Sequence, residues 1–81
     1  MVNVIFDPIF KKKFMKIKDK QSKNKIIKQI QKIKENTEIG KPMKYSRKGS
    51  RELYVFPFRL SYMIKSSELI YILDIYHKDE Q

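Results

Sequence analysis

The run Phe58-Arg59-Leu60-Ser61-Tyr62-Met63-Ile64, the polar break Lys65-Ser66-Ser67-Glu68 and the run Leu69-Ile70-Tyr71-Ile72-Leu73-Asp74-Ile75-Tyr76-His77 decide the fold. β-Branched and aromatic residues on both sides of a short polar break spell a β-hairpin. With the turn centred on Ser66-Ser67, Arg59 lies opposite Asp74, so a cross-strand ion pair is the rival to a phosphate-binding role for Arg59. Alternation then sends Arg59 and His77 to opposite faces, so the two meet only if a bulge or the strand end at Tyr76 re-aims the histidine. An arginine and the only histidine of a basic chain suit a phosphate. The first supplies fixed charge and the second moves protons near neutral pH.

Outward from the hairpin, Arg51 to Phe56 reads as the preceding strand, with Pro57 at the bend into the next. Met43 to Arg47 is expected as a strand before the turn Lys48-Gly49-Ser50. At the other end, Val2 to Phe6 is a short strand, and Asp7-Pro8 forms an N-cap followed by proline at the first helical position. Ile9, Phe10, Phe14 and Ile17 then fall at helical spacing. A polar break over Asp19 to Lys25 precedes a second helix striped by Ile26, Ile27, Ile30 and Ile33, which Gly40 and Pro42 end. Neither helix is stable alone in water, so each stripe must lie on a sheet. The expected architecture is α+β: β-α-α-β-β-β-β, a mostly antiparallel sheet packed on a helical hairpin, as one domain over residues 1–81.

Composition narrows the function. Eighty-one residues without cysteine exclude disulfides and thiolate metal sites, and one histidine argues against zinc. No apolar run reaches the roughly 20 residues that span a bilayer. The N-terminus has no basic leader before an apolar stretch, so a cytoplasmic protein is expected. The net charge of +10 is unevenly placed: residues 1 to 48 carry fifteen Lys/Arg against four Asp/Glu, and residues 49 to 81 carry four against five. That half-and-half asymmetry points to a polyanionic partner, and lysines that displace condensed counterions suit nucleic acid. A membrane-surface role is weaker, because the apolar stripes are needed for the core.

The element order, together with Gly40-Lys41-Pro42, Phe58-Arg59-Leu60-Ser61-Tyr62 and the closing Tyr76-His77-Lys78, resembles the RelE/ParE/YoeB superfamily of type II toxin–antitoxin toxins over nearly the whole chain. The resemblance implies a RelE-like mRNA interferase: a ribosome-dependent endonuclease, without metal or small-molecule cofactor, held inactive by a cognate acidic antitoxin. In that chemistry a ribose 2′-hydroxyl attacks the adjacent phosphate. A base takes the 2′-proton, an acid protonates the leaving 5′-oxygen, and cations neutralise the phosphorane. Carried onto this chain, the resemblance makes Arg59 the phosphate clamp, His77 a general acid or base and Arg51 a further catalytic cation. Lys44, Arg47, Lys48, Lys78, Lys11, Lys12 and Lys16 are the candidate RNA-binding residues.

The chain departs from the YoeB-like pattern at two points. Met43 stands where that pattern has a glutamate after Gly-x-Pro, with Glu52 a substitute from a different strand position. Lys78 stands where a tyrosine often follows the histidine, while Tyr76 offers a ring to stack a base. Two rival functions keep the same fold or charge. Arg51-Glu52-Leu53 and Phe56-Pro57-Phe58 also resemble the ParE branch, which binds DNA gyrase without a nuclease centre. A plain nucleic-acid-binding module is less well matched, because both helices present lysines with few residues able to read bases.

Overall fold

The computed structural model describes residues 2–43 and 49–77. Its elements run β1 (Asn3–Phe6), α1 (Pro8–Lys16), α2 (Lys20–Glu35), β2 (Lys41–Pro42), β3 (Ser50–Val55), β4 (Phe58–Ser66) and β5 (Leu69–His77). One five-stranded sheet has the order β1-β5-β4-β3-β2, with β1 parallel to β5 and every other pair antiparallel. This is the expected α+β architecture in the expected order.

Both helices start at an aspartate. The Asp7 carboxylate accepts from Ile9 N at 2.8 Å with Pro8 at the first helical position, and Asp19 accepts from Gln21 N at 3.1 Å and Ser22 Oγ at 2.9 Å. The Ser22 hydroxyl and the Gln21 amide together hold the Asp19 carboxyl below its ordinary value of 3.8. The second helix therefore begins at Lys20, six residues before the expected start. Its first turn and a half looks like a loop in sequence because it faces solvent, where Lys20, Gln21, Asn24 and Lys25 are all exposed. It ends at Glu35, and the Gly40-Lys41-Pro42 segment lies in the sheet approach and β2, not at the helix end.

The helices lie on one face of the sheet. Phe10, Ile26, Ile30 and Ile33 pack with Val55, Leu60, Tyr62, Ile70, Ile72 and Ile75 in a single buried cluster. Ile9 and Ile27, expected in the stripes, are 56% and 43% exposed at the margin of that cluster. Among the described elements no helix covers the other face, which presents Glu52, Tyr54, Arg59 and Tyr76.

The hairpin turn falls on Ser67-Glu68, one residue later than a Ser66-Ser67 centre. That delay moves each pairing by two, so Arg59 faces Tyr76 and Asp74 faces Ser61. The ladder also shifts between Ile64 and Ser66 and again between Ser61 and Tyr62, one extra residue on each strand, and the two offsets cancel toward Arg59. The rival reading of an Arg59–Asp74 ion pair is accordingly replaced. Asp74 Oδ1 lies 3.0 Å from Lys13 Nζ, tying β5 to α1, and Arg59 pairs elsewhere. β2 is Lys41–Pro42 and stops before Met43, and the rest of the strand expected at Met43 to Arg47 lies outside the described residues. Lys44, Arg47, Lys48 and Lys78 lie outside the described residues.

Candidate functional site

Directly opposed residues of antiparallel strands share a face. Tyr54 of β3 is opposite Arg59 of β4, which is opposite Tyr76 of β5, and Glu52 stands two residues before Tyr54. Three neighbouring strands thus gather a carboxylate, a guanidinium and two phenols on the open face. Arg59 Nη1 is 3.3 Å from Glu52 Oε1, and the Tyr76 hydroxyl donates to Glu52 Oε2. One carboxylate therefore holds a cation with one oxygen and a phenol with the other.

The Arg59 side chain remains 36% exposed, so its pairing is screened and contributes at most about 1 kcal/mol to stability. It is a poor structural strut and an available anion ligand. Beside it a groove of about 520 Å³ is lined by Ile39, Lys41, Glu52, Leu53, Tyr54 and Arg59. Lys41, opposite Glu52 in the ladder, brings a second cation to the same groove.

His77 is not part of this group. It pairs with Phe58, their rings 5.8 Å apart edge-to-face, and lines a cleft of about 330 Å³ with Lys13, Lys16 and Ile17 of the α1 side, which Tyr76 also borders. Arg59 and His77 stand on adjacent rungs and opposite faces, as strict alternation requires. The ladder irregularities lie nearer the turn and do not alter their relation.

Arg51 also points away from Arg59. Its guanidinium donates to the carbonyls of Gly40 at 2.8 Å and Glu38 at 3.2 Å, clamping the segment between α2 and β2. Tyr62 completes that clamp: its hydroxyl donates to Thr37 O at 2.8 Å and accepts from Gly40 N at 2.9 Å. Burial pushes the Tyr62 phenol up, so it stays a neutral donor and acceptor. A Cβ on Gly40 would lie 2.8 Å from Tyr62 Cε1 and 3.0 Å from Glu52 O, so this position requires glycine. Two of the segments that carry the family resemblance thus meet as a structural joint.

Lys11, Lys12 and Lys16 are exposed on α1, on the helical side of the sheet. Among the described residues no group of three His, Asp or Glu side chains could hold a metal ion, and no helix is long and apolar enough to cross a membrane. Tyr54 and Lys41 escaped the sequence reading. The spacing of Tyr54 two residues after Glu52 was the signal that could have found it.

A family model described as the ParE toxin of the type II toxin–antitoxin system parDE matches residues 4–81. The chain belongs to this toxin family. Solved structures carry the same fold. The isolated E. coli RelE toxin superposes with a TM-score of 0.80 at 13% identity, covering 100% of this chain and 88% of that one. The YoeB dimer from Staphylococcus aureus gives 0.79 at 24% identity, covering 94% and 97%. A chain of the heterotetrameric YoeB–YefM toxin–antitoxin complex from the same organism gives 0.74 at 26% identity, covering 95% and 98%. No protein of curated function matches in sequence. The protein is a type II toxin of the RelE/ParE superfamily, and relatives in this fold occur in complexes with antitoxins.

Proposed function

We propose that this toxin is a ribosome-dependent endoribonuclease whose centre is Glu52, Arg59 and Tyr76. The observation that carries the reading is the Glu52 carboxylate held between Arg59 and Tyr76 on the open face of the sheet. Arg59 clamps the scissile phosphate, since a guanidinium bonds two phosphoryl oxygens at once and neutralises the phosphorane. Glu52 takes the proton of the attacking 2′-hydroxyl. The Tyr76 phenol gives its proton to the departing 5′-oxygen and recovers one from Glu52. The products are a 2′,3′-cyclic phosphate and a 5′-hydroxyl, and both side chains return to their starting states. Glu52 thereby fills the task that Met43 cannot. The partner is an acidic antitoxin, drawn by the +10 charge. An apolar groove bounded by Phe6, Phe10, Phe14, Met15, Ile27 and Ile30, with Lys11 at its rim, suits an antitoxin helix.

The test is translation in a cell-free system with added toxin, read by primer extension on the message. Discrete cuts on translating ribosomes, little cutting of naked RNA, and loss of cuts with Arg59→Ala or Glu52→Gln are expected. The match to the ParE model favours a second reading, binding of DNA gyrase without catalysis. Intact messages together with blocked gyrase supercoiling would establish it instead.

A further inference from the structure

Tyr54 and Phe56 are 53% and 56% exposed, on the strand that carries Glu52 and at its exit into the β4 turn. Their ring centroids are 6.2 Å apart at 52°, so the rings do not stack on each other. Single exposed aromatics are ordinary on protein surfaces. Two together beside a half-buried arginine are less so. Tyr54 is directly opposite Arg59 and lines its groove with Lys41. Cations that hold a phosphate beside aromatic faces that take a base are the two parts from which single-strand binding sites are built.

We infer that Tyr54 and Phe56 form a stacking shelf for an unpaired nucleobase of single-stranded RNA whose phosphate lies on Arg59. The inference rests on the nuclease reading for its occupant and deepens it by naming where a base sits. Neighbouring strands lie about 4.8 Å apart, so a base on Tyr54 is one strand spacing from the Arg59 rung. That is within the span of one nucleotide. Stacking is indifferent to base identity, so the shelf positions the strand, and the choice of sequence is left to the ribosome-bound message. The alternative occupant of an exposed aromatic pair is a protein, and the experiment separates the two.

The chain contains no tryptophan, so Tyr54→Trp introduces a single fluorescent indole at the shelf. The probes are a short 2′-O-methyl oligonucleotide, which lacks the attacking hydroxyl and cannot be cut, and an abasic oligonucleotide of equal length and charge. Quenching by the first and not the second is expected. Affinity of the full chain for the base-bearing probe should fall about tenfold or more in Tyr54→Ala and in Phe56→Ala, and be retained in Tyr54→Phe. Melting temperatures should be unchanged, because both side chains are more than half exposed. Equal binding of the two probes, or wild-type affinity in both alanine variants, overturns the shelf. So does loss of antitoxin binding in those variants with probe affinity intact, which would make the surface a protein interface. None of these readouts needs cleavage. Base-dependent quenching without any cutting of messages would retire the nuclease reading and leave the shelf standing.

Discussion

At Gly40 and Tyr62 the reason for each residue is local and can be tested. The amide of Gly40 sits against the phenol oxygen at 2.9 Å, leaving no room for a side chain. Gly40→Ala should destabilise the fold by about 1–3 kcal/mol, the usual cost of overpacking, in a denaturant melt. Tyr62→Phe keeps the ring but strips a partner from Gly40 N and from Thr37 O, and should cost about 1–3 kcal/mol. The charged residues behave differently. A double-mutant cycle should find coupling for Arg59 with Glu52 and for Lys13 with Asp74, and none for Arg59 with Asp74. In cleavage assays Glu52→Gln should lose about 10²–10⁴-fold, the range for removing a general base, while His77→Ala loses under about tenfold because it lines the other face. A His77→Ala loss as large as that of Glu52→Gln would place the histidine at the reacting phosphate after all.

Elements were legible where periodicity and caps agree, and shifted where the sequence offers equivalent choices. Alternating residues of β3, β4 and β5 announce the strands, and Asp7-Pro8 announces α1. Lys65-Ser66-Ser67-Glu68 contains no glycine or proline to fix the turn, so its centre moved by one residue and Arg59 changed partner. The start of α2 was missed because solvent-facing lysines and glutamines carry no apolar period. The Arg59-bearing face was readable from alternation, but Glu52 and Tyr76 joined it through pairing across three strands, which a single strand does not encode. Asp19 gives a pH test of the α2 start. Its carboxyl is held below the ordinary value by the bonds from Ser22 and Gln21. A lowered folded value means that the capping contribution is present above about pH 4 and is lost as pH falls through the folded value. Asp19→Asn retains an N-cap acceptor but cannot titrate. Its melting temperature should therefore fall less between pH 5 and pH 2.5 than that of the wild type. Parallel curves for the two proteins would remove Asp19 from the acid response.

At the scale of the molecule, the described residues separate their charges by face. The helices carry exposed lysines at 11, 12, 16, 25, 28 and 32, while the open sheet face gathers Arg59 and Lys41 beside a carboxylate and aromatic rings. On the proposed nuclease reading the toxin must hold ribosomal RNA and admit a single strand, and two faces allow both at once. The helical lysines should then govern docking and its salt dependence, and leave the chemistry on the sheet alone. A triple variant, Lys11→Glu, Lys12→Glu and Lys16→Gln, tests this separation. Lys16 is made neutral because it lies in the last turn of α1, where a carboxylate would oppose the helix dipole. Ribosome affinity should fall, and the slope of log affinity against log salt should drop by about 0.7–0.9 for each phosphate that the variant no longer neutralises. Binding of a short uncleavable oligonucleotide to the sheet face should stay at the wild-type level. A variant that loses both together would show that one continuous basic surface, not two opposed faces, receives the RNA. Ribosome affinity that is equal at low and high salt in the wild type would remove the helical lysines from docking altogether.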